Sequence, residues 1–297
     1  MTIGTGLNGL DSAVGSIDYW IEIDSERLFA QGDILRSVPS DTNAEPTFGL
    51  IITADCDIVQ SKAADRLTYV EVVTTRDYLE RVWIPDQLQK YVKKQAKGAA
   101  EELTGLMRRS GLELAMSVDQ LLDWLRERPV ESIDKAVNRT GKALDAKLLK
   151  TLTALRCALG ADANQKPLGQ WRALRDILGE PVDRQSADLA AALAGGGGFP
   201  DFFLLPELPR ASEFGYVALL RFIRTVHADG VFKSEVDARI QGQPQALHRV
   251  GRLTDGIRFA ITQKLAFLFS RIGLPSHYED ACKSAATLAA ESLVTGA

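Results

Sequence analysis

Two carboxylates bracket a thiol in the tripeptide Asp55-Cys56-Asp57, inside the stretch TFGLIITADCDIVQ that runs from Thr47 to Gln60. The tripeptide follows a short apolar run, Gly49-Leu50-Ile51-Ile52, which reads as a buried strand ending in small and polar residues. A cysteine nucleophile needs a base, and the chain offers three histidines, His227, His248 and His277. Like-charge repulsion from the flanking carboxylates disfavours a thiolate at Cys56. The structural alternative makes Cys56 a small buried residue at a strand end. Asp57 then caps a turn, and Asp55 accepts backbone N–H groups. Two carboxylates two residues apart can share a hard cation. No HxH, HExxH or CxxC spacing accompanies them, so neither a metal nor a cofactor is expected.

A second group lies far along the chain, in His248-Arg249-Val250-Gly251-Arg252-Leu253. Under strict strand alternation His248 and Arg252 point one way and Arg249 the other. Such a pair suits a phosphate or a carboxylate such as Asp57; a structural ion pair is the stronger expectation. Asp55, Cys56, Asp57, His248 and Arg252 are therefore the candidate catalytic set. Lys90, Lys93, Lys94 and Lys97 recur at helical spacing and are the candidate nucleic-acid contacts. Only Tyr91 interleaves them and Glu101-Glu102 follow, so a solvated helix face is the simpler reading. The run Gly195 to Gly198 lacks the lysine and hydroxyl residue of a phosphate-binding loop.

These residues need elements to hold them. The 297-residue chain is 45% apolar and 25% charged, enough for a sizeable core and unlike a disordered chain. A net charge of −4 argues against a protein coated in basic surface for nucleic acid. No apolar run approaches the roughly 18 residues that span a bilayer. The first residues lack the charged and apolar regions of a secretory signal. Three widely spaced cysteines make no disulfide framework, which points to a cytoplasmic protein with no membrane partner.

The pattern along the chain changes twice. Strand-like segments occupy Ile17–Ile23, Leu28–Val38, Gly49–Ile52 and Leu67–Val73, behind a Gly- and Ser-rich lead-in at 1–16. From about Thr75 to Ala194 the apolar spacing is helical. Ser117 and Gln120 form a capping-box pattern, and Pro129 stops that helix. One long helix is expected over 132–159, with Gly160 and later Gly179 as stops. Strand character returns after Phe199, strongest over Tyr216–Val226 and His248–Leu253. A helix capped by Thr254 and a terminal helix from about Tyr278 to Leu293 close the chain. The division expected is therefore 1–75, a first β part; 76–198, a helical insertion; and 199–297, a second β part with C-terminal helices. Neither strand set alone makes a stable sheet, so the two should reunite.

The Gln31-Gly32-Asp33-Ile34-Leu35 segment and the Gly49-Leu50-Ile51-Ile52-Thr53 strand resemble the opening of the PemK/MazF-type toxin barrel. Thr47-Phe48 stand where that family carries Arg-Pro. The Thr53–Ile58 string and Arg271-Ile272-Gly273-Leu274-Pro275 are similar to uncharacterised bacterial proteins of mobile elements and defence islands. The resemblance implies an α+β fold: a small, split SH3-like (PemK-like) β-barrel with a large helical insertion. It implies an accessory or interaction protein of a defence or toxin–antitoxin system. Such a protein would bind a protein partner or a nucleic acid, and a homo-oligomer is compatible with it. The rival is a ribonuclease-like or other hydrolase using Asp55, Cys56 and Asp57 with Arg252 and His248. An enzyme requires those side chains to meet in an open cleft; a binding module lets them be buried and paired.

Overall fold

The computed structural model describes residues 19–39, 45–60, 62, 65–112, 114–137, 144–161, 165–195, 201–211, 213, 215–241, 246–270, 281, 284 and 285. The lead-in, the glycines at 196–198, the Arg271–Pro275 segment, His277 and Cys282 lie outside them. So does the expected terminal helix, except three helical positions at 281, 284 and 285.

The fold is α+β, built on an open, curled, largely antiparallel half-barrel sheet. Its strands are β1 (Trp20–Ile21), β2 (Asp33–Ser37), β3 (Phe48–Ile51), β4 (Arg66–Thr74), β5 (Phe202–Leu205), β6 (Tyr216–His227), β7 (Val231–Phe232) and β8 (Leu247–Leu253). They lie in the order β1-β8-β2-β3-β4-β6-β5, with β7 added in parallel to β8. The pairs β2–β8 and β4–β6 stitch early strands to late ones, so strands from both ends of the chain share one sheet. β3 is buried along its whole length, which is why its sequence is continuously apolar rather than alternating.

Helices cover both faces. On one face Ile34, Leu50, Val70, Ala218 and Leu220 pack with Ile261, Leu265 and Leu268 of the last long helix. On the other, Leu35, Ile51, Leu67 and Leu247 pack with Phe29 and Ile58. Farther along, Val73, Val217, Leu219 and Phe202 meet Tyr78, Leu79, Ile84, Leu88 and Trp171 of the helical segment.

The helices in chain order are α1 (Asp55–Val59), α2 (Thr75–Tyr78), α3 (Ile84–Arg109), α4 (Val118–Glu127), α5 (Val130–Val137), α6 (Ala146–Ala158), α7 (Pro167–Leu178), α8 (Val182–Ala194), α9 (Glu235–Ile240) and α10 (Asp255–Phe269). A π-helical turn, Leu79–Trp83, joins α2 to α3. The Ser117–Gln120 capping box opens α4 with both of its hydrogen bonds made. Gly160 and Gly179 sit at φ +68° and +80°, the left-handed conformation that ends a helix cheaply only at glycine. The α3–α6 helices enclose their own core of Leu103, Leu121, Leu125, Ile133, Leu148 and Leu152.

Three local expectations change. The segment 132–159 is two helices, α5 and α6, because Leu144 and Leu148 turn back onto the same core as Ile133. Of Ile17–Ile23, only Trp20–Ile21 pairs as a strand among the described residues. Thr254 precedes α10 without capping it through its hydroxyl, which reaches the carbonyl of Tyr19 instead (3.5 Å). No helix among the described residues is long and apolar enough to cross a membrane.

Candidate functional site

The two ends of the sheet are built differently. One end gathers Gly32, Asp33, Ile52, Asp55, Arg252 and Arg258 and is sealed by charge pairs. The opposite end, at Ser37, Thr47, Thr74 and Tyr216, is open.

At the sealed end, Asp33 is fully buried and carries two guanidinium groups. Arg252 donates to it through Nε (2.5 Å) and Nη2 (3.2 Å), and Arg249 through Nη1 (3.4 Å). The same arginines hold the preceding loop. Arg249 donates to the carbonyls of Asp24, Arg27 and Leu28, and Arg252 also to Leu28.

This corrects the expected geometry. The β2–β8 register pairs Ile34 with Gly251 but Leu35 with Arg249, leaving Val250 as an extra bulged residue. A bulge shifts the alternation by one. Arg249 and Arg252 therefore share a face, and His248, opposite Arg36, lies on the other.

Asp55 has a similar structural role. Its Oδ1 accepts the backbone N–H of Gln31 (2.7 Å), and its Oδ2 accepts Arg258 Nη1 (2.8 Å). Gln31 Nε2 donates to the Ile52 carbonyl (3.1 Å), and the N–H of Gly32 to Ile51 (2.9 Å). The Gln-Gly-Asp and Ala-Asp-Cys-Asp segments are thus two sides of one joint. Asp55 is in the first turn of α1 rather than at a strand exit, where a carboxylate also suits the helix N-terminus. Cys56 is exposed, not buried, and among the described residues its thiol meets the Asp57 carboxylate (3.6 Å).

The five candidate residues do not converge. Asp55 joins Arg258, Arg252 joins Asp33, and Cys56 and Asp57 stand aside on α1. His248 lies near the other end of β8, its side chain 1% exposed and neither ring nitrogen hydrogen-bonded to a described residue. Glu235 Oε2 is 4.0 Å from His248 Nε2. Burial pushes the His248 pKa down; Glu235 pulls the other way, and Arg36, Arg210 and Arg239 add to the lowering.

The open end holds a cleft of about 450 Å³. Its apolar wall includes Phe48, Val72 and Tyr216, with the Phe48 and Tyr216 rings edge-on at 5.6 Å. Three arginines line it, Arg36, Arg81 and Arg210, beside four carboxylates, Glu45, Glu71, Asp77 and Glu213. Glu71 is gripped by Arg81 (2.9 Å) and Arg224 (2.8 Å). Burial works to raise the Glu71 pKa, but the two guanidinium groups outweigh it and hold the carboxyl below its ordinary value. The Tyr216 hydroxyl accepts the backbone N–H of Glu213 (3.1 Å), and burial raises its pKa. Sequence reasoning missed these residues. One signal was present: Ile34 and Arg36 share parity on β2, so an arginine had to join an inward-facing apolar row.

The lysine cluster is largely a solvated face. Lys90 pairs with Asp86 (2.7 Å), Lys97 with Glu101 (4.0 Å), and Lys93 and Lys94 are exposed. Lys90 and Lys94 also border a second cleft, of about 560 Å³, over Tyr91, Trp171 and Leu174. Among the described residues no group of three or more His, Cys, Asp or Glu side chains is placed to hold a metal ion. No family model, no curated protein and no solved structure matches this chain.

Proposed function

We propose that the protein is an accessory binding protein that receives a segment of a protein partner in the cleft at the open end of the sheet. The observation that supports this is the separation of the chemistry-bearing residues. Asp55 and Arg252 are consumed by ion pairs at the sealed end, while the cleft presents an apolar wall and polar rim of the kind that orients a ligand. A protein partner fits the cleft better than a nucleic acid does. Four carboxylates among the lining residues oppose a backbone that carries a charge at every nucleotide. The cytoplasmic, defence or toxin–antitoxin setting and the kinship of the half-barrel to PemK-like barrels rest on composition and resemblance, and belong to the same proposal.

The test compares wild type, Asp57→Ala and Ala211→Trp, each checked for a cooperative melting transition. Ala211 lines the cleft and Asp57 does not. A partner retained by wild type and Asp57→Ala but lost from Ala211→Trp supports the reading. Growth arrest with RNA loss that disappears in folded Asp57→Ala overturns it in favour of the hydrolase.

A further inference from the structure

Arg36 is the anomaly of the open end. The register sets it in a cross-strand row, with His248 of β8 on one side and Phe48 of β3 on the other, then Val72 of β4. Its neighbours in this row are all buried. The other arginines of the cleft have acid partners: Arg81 has Glu71, and Arg210 lies 3.7 Å from Glu235. Arg36 makes no ion pair with any described residue, and its Nε is buried with no hydrogen-bond partner. Neither ring nitrogen of His248 beside it is hydrogen-bonded to a described residue, although Glu235 lies 4.0 Å from Nε2; a neutral imidazole holds one N–H donor and one acceptor nitrogen. A guanidinium has donors only. Glu235, the acid beside His248, is already shared by Arg239 and Arg210, so among the described residues the buried Arg36 Nε–H has no acceptor, an arrangement that costs free energy unless something supplies one.

We infer that Arg36 is the seat for a carboxylate of the bound partner segment, with an apolar side chain of that segment lying against Phe48 and Tyr216. The inference rests on the cleft reading above and names the group recognised. A planar carboxylate matches the guanidinium fork. The edge-on Phe48–Tyr216 pair supplies apolar contact immediately beside it. Glu45, Asp77 and Glu213 along the rest of the cleft disfavour a ligand with several anionic groups, so one charge at one end is the pattern that fits. The carboxylate comes either from a chain terminus or from an acidic side chain; the chemistry at Arg36 is the same.

The experiment uses the full chain, labelled with 15N, and four probes: acetyl-Gly-Leu with a free terminus, acetyl-Glu-Leu-amide, acetyl-Gln-Leu-amide and inorganic phosphate. The readouts are the amide signals of Thr47, Phe48 and Tyr216 and the Nε–H signal of Arg36. At least one carboxylate probe is expected to bind about tenfold more tightly than the neutral Gln peptide, the gain of one charge-assisted hydrogen-bonded contact. Which one binds identifies the source. Arg36→Gln is expected to abolish the preference without lowering the melting temperature, since Arg36 makes no ion pair with a described residue; Arg36→Lys is expected to keep part of it. Equal binding of neutral and acidic peptides at the cleft signals overturns the Arg36 assignment and leaves the cleft reading standing. Tighter binding of phosphate than of either carboxylate overturns the assignment as well. No movement of the cleft signals with any peptide overturns both.

Discussion

Asp33 and Arg252 stand opposite each other in the β2–β8 pairing, and the guanidinium grips both carboxylate oxygens, at 2.5 and 3.2 Å. Arg249, three residues away but on the same face because of the bulge at Val250, is the second cation on that carboxylate. The Arg249 side chain is 1% exposed and Asp33 is fully buried. Removing one partner of a buried pair strands the other charge. Asp33→Asn is therefore expected to cost about 3–5 kcal/mol. The midpoint and slope of urea unfolding measure it; a loss below about 1 kcal/mol would contradict a buried network.

Gly32 holds φ at +89°, and a Cβ there would lie 2.8 Å from Arg258 Cδ. The alanine variant suffers both the strained backbone and the collision, together about 1–3 kcal/mol. Because Arg258 is the group struck, adding Arg258→Ala should relieve part of the cost. The two substitutions are then expected to be less than additive in a double-mutant cycle. Full additivity would show that Gly32 matters for its backbone alone.

His248 gives a pH dependence of defined sign. Burial first, and then three arginines, lower its pKa in the folded protein, against the opposing pull of Glu235. The unfolded chain, with a histidine pKa of about 6.5, then binds more protons than the folded one in the window below that value. Stability from this group is present above about pH 6.5 and is lost as the pH falls toward the folded value. The melting temperature should decline between about pH 7 and pH 5.5, and the decline should shrink in His248→Asn. Glu235, whose pKa is lowered chiefly by its hydrogen bond to Arg239 although burial opposes this, contributes only at lower pH. A melting temperature that rises on acidification through this window would refute the assignment.

Cys56 and Asp57 are expected to tolerate change. Their side chains meet each other at 3.6 Å, and Cys56 is exposed. Cys56→Ser and Asp57→Ala should each alter stability by no more than about 0.5 kcal/mol, as at ordinary surface positions. Asp55→Ala, two residues away, removes the acceptor of Gln31 N–H and the partner of Arg258 and should cost about 1–3 kcal/mol. Equal costs at Asp55 and Asp57 would argue against the joint between the two segments.

Local features were legible from the chain because they depend on residues three or four apart, or on one residue's backbone freedom. The Ser117–Gln120 capping box and the left-handed glycine stops at 160 and 179 are of this kind. So is the apolar β3 strand, whose uniform burial follows from its composition. The break between α5 and α6 was hidden because both helices face one core, so the apolar spacing carries across it.

The site followed a different logic. Asp33 and Arg252 are far apart in sequence, and nothing local announces their pairing. Strict alternation placed His248 with Arg252, and one unpaired residue, Val250, reversed that assignment for the rest of the strand. A bulge arises from the register between strands, so it exists only once β2 and β8 have met. Which arginines are satisfied is decided in the same way. Arg249 and Arg252 find Asp33, and Arg36 forms no ion pair with a described residue, because pairing of charges depends on distance in space. Residue types and helix ends are thus written along the chain, while the face each charge occupies, and whether it has a partner, is set by long-range strand pairing.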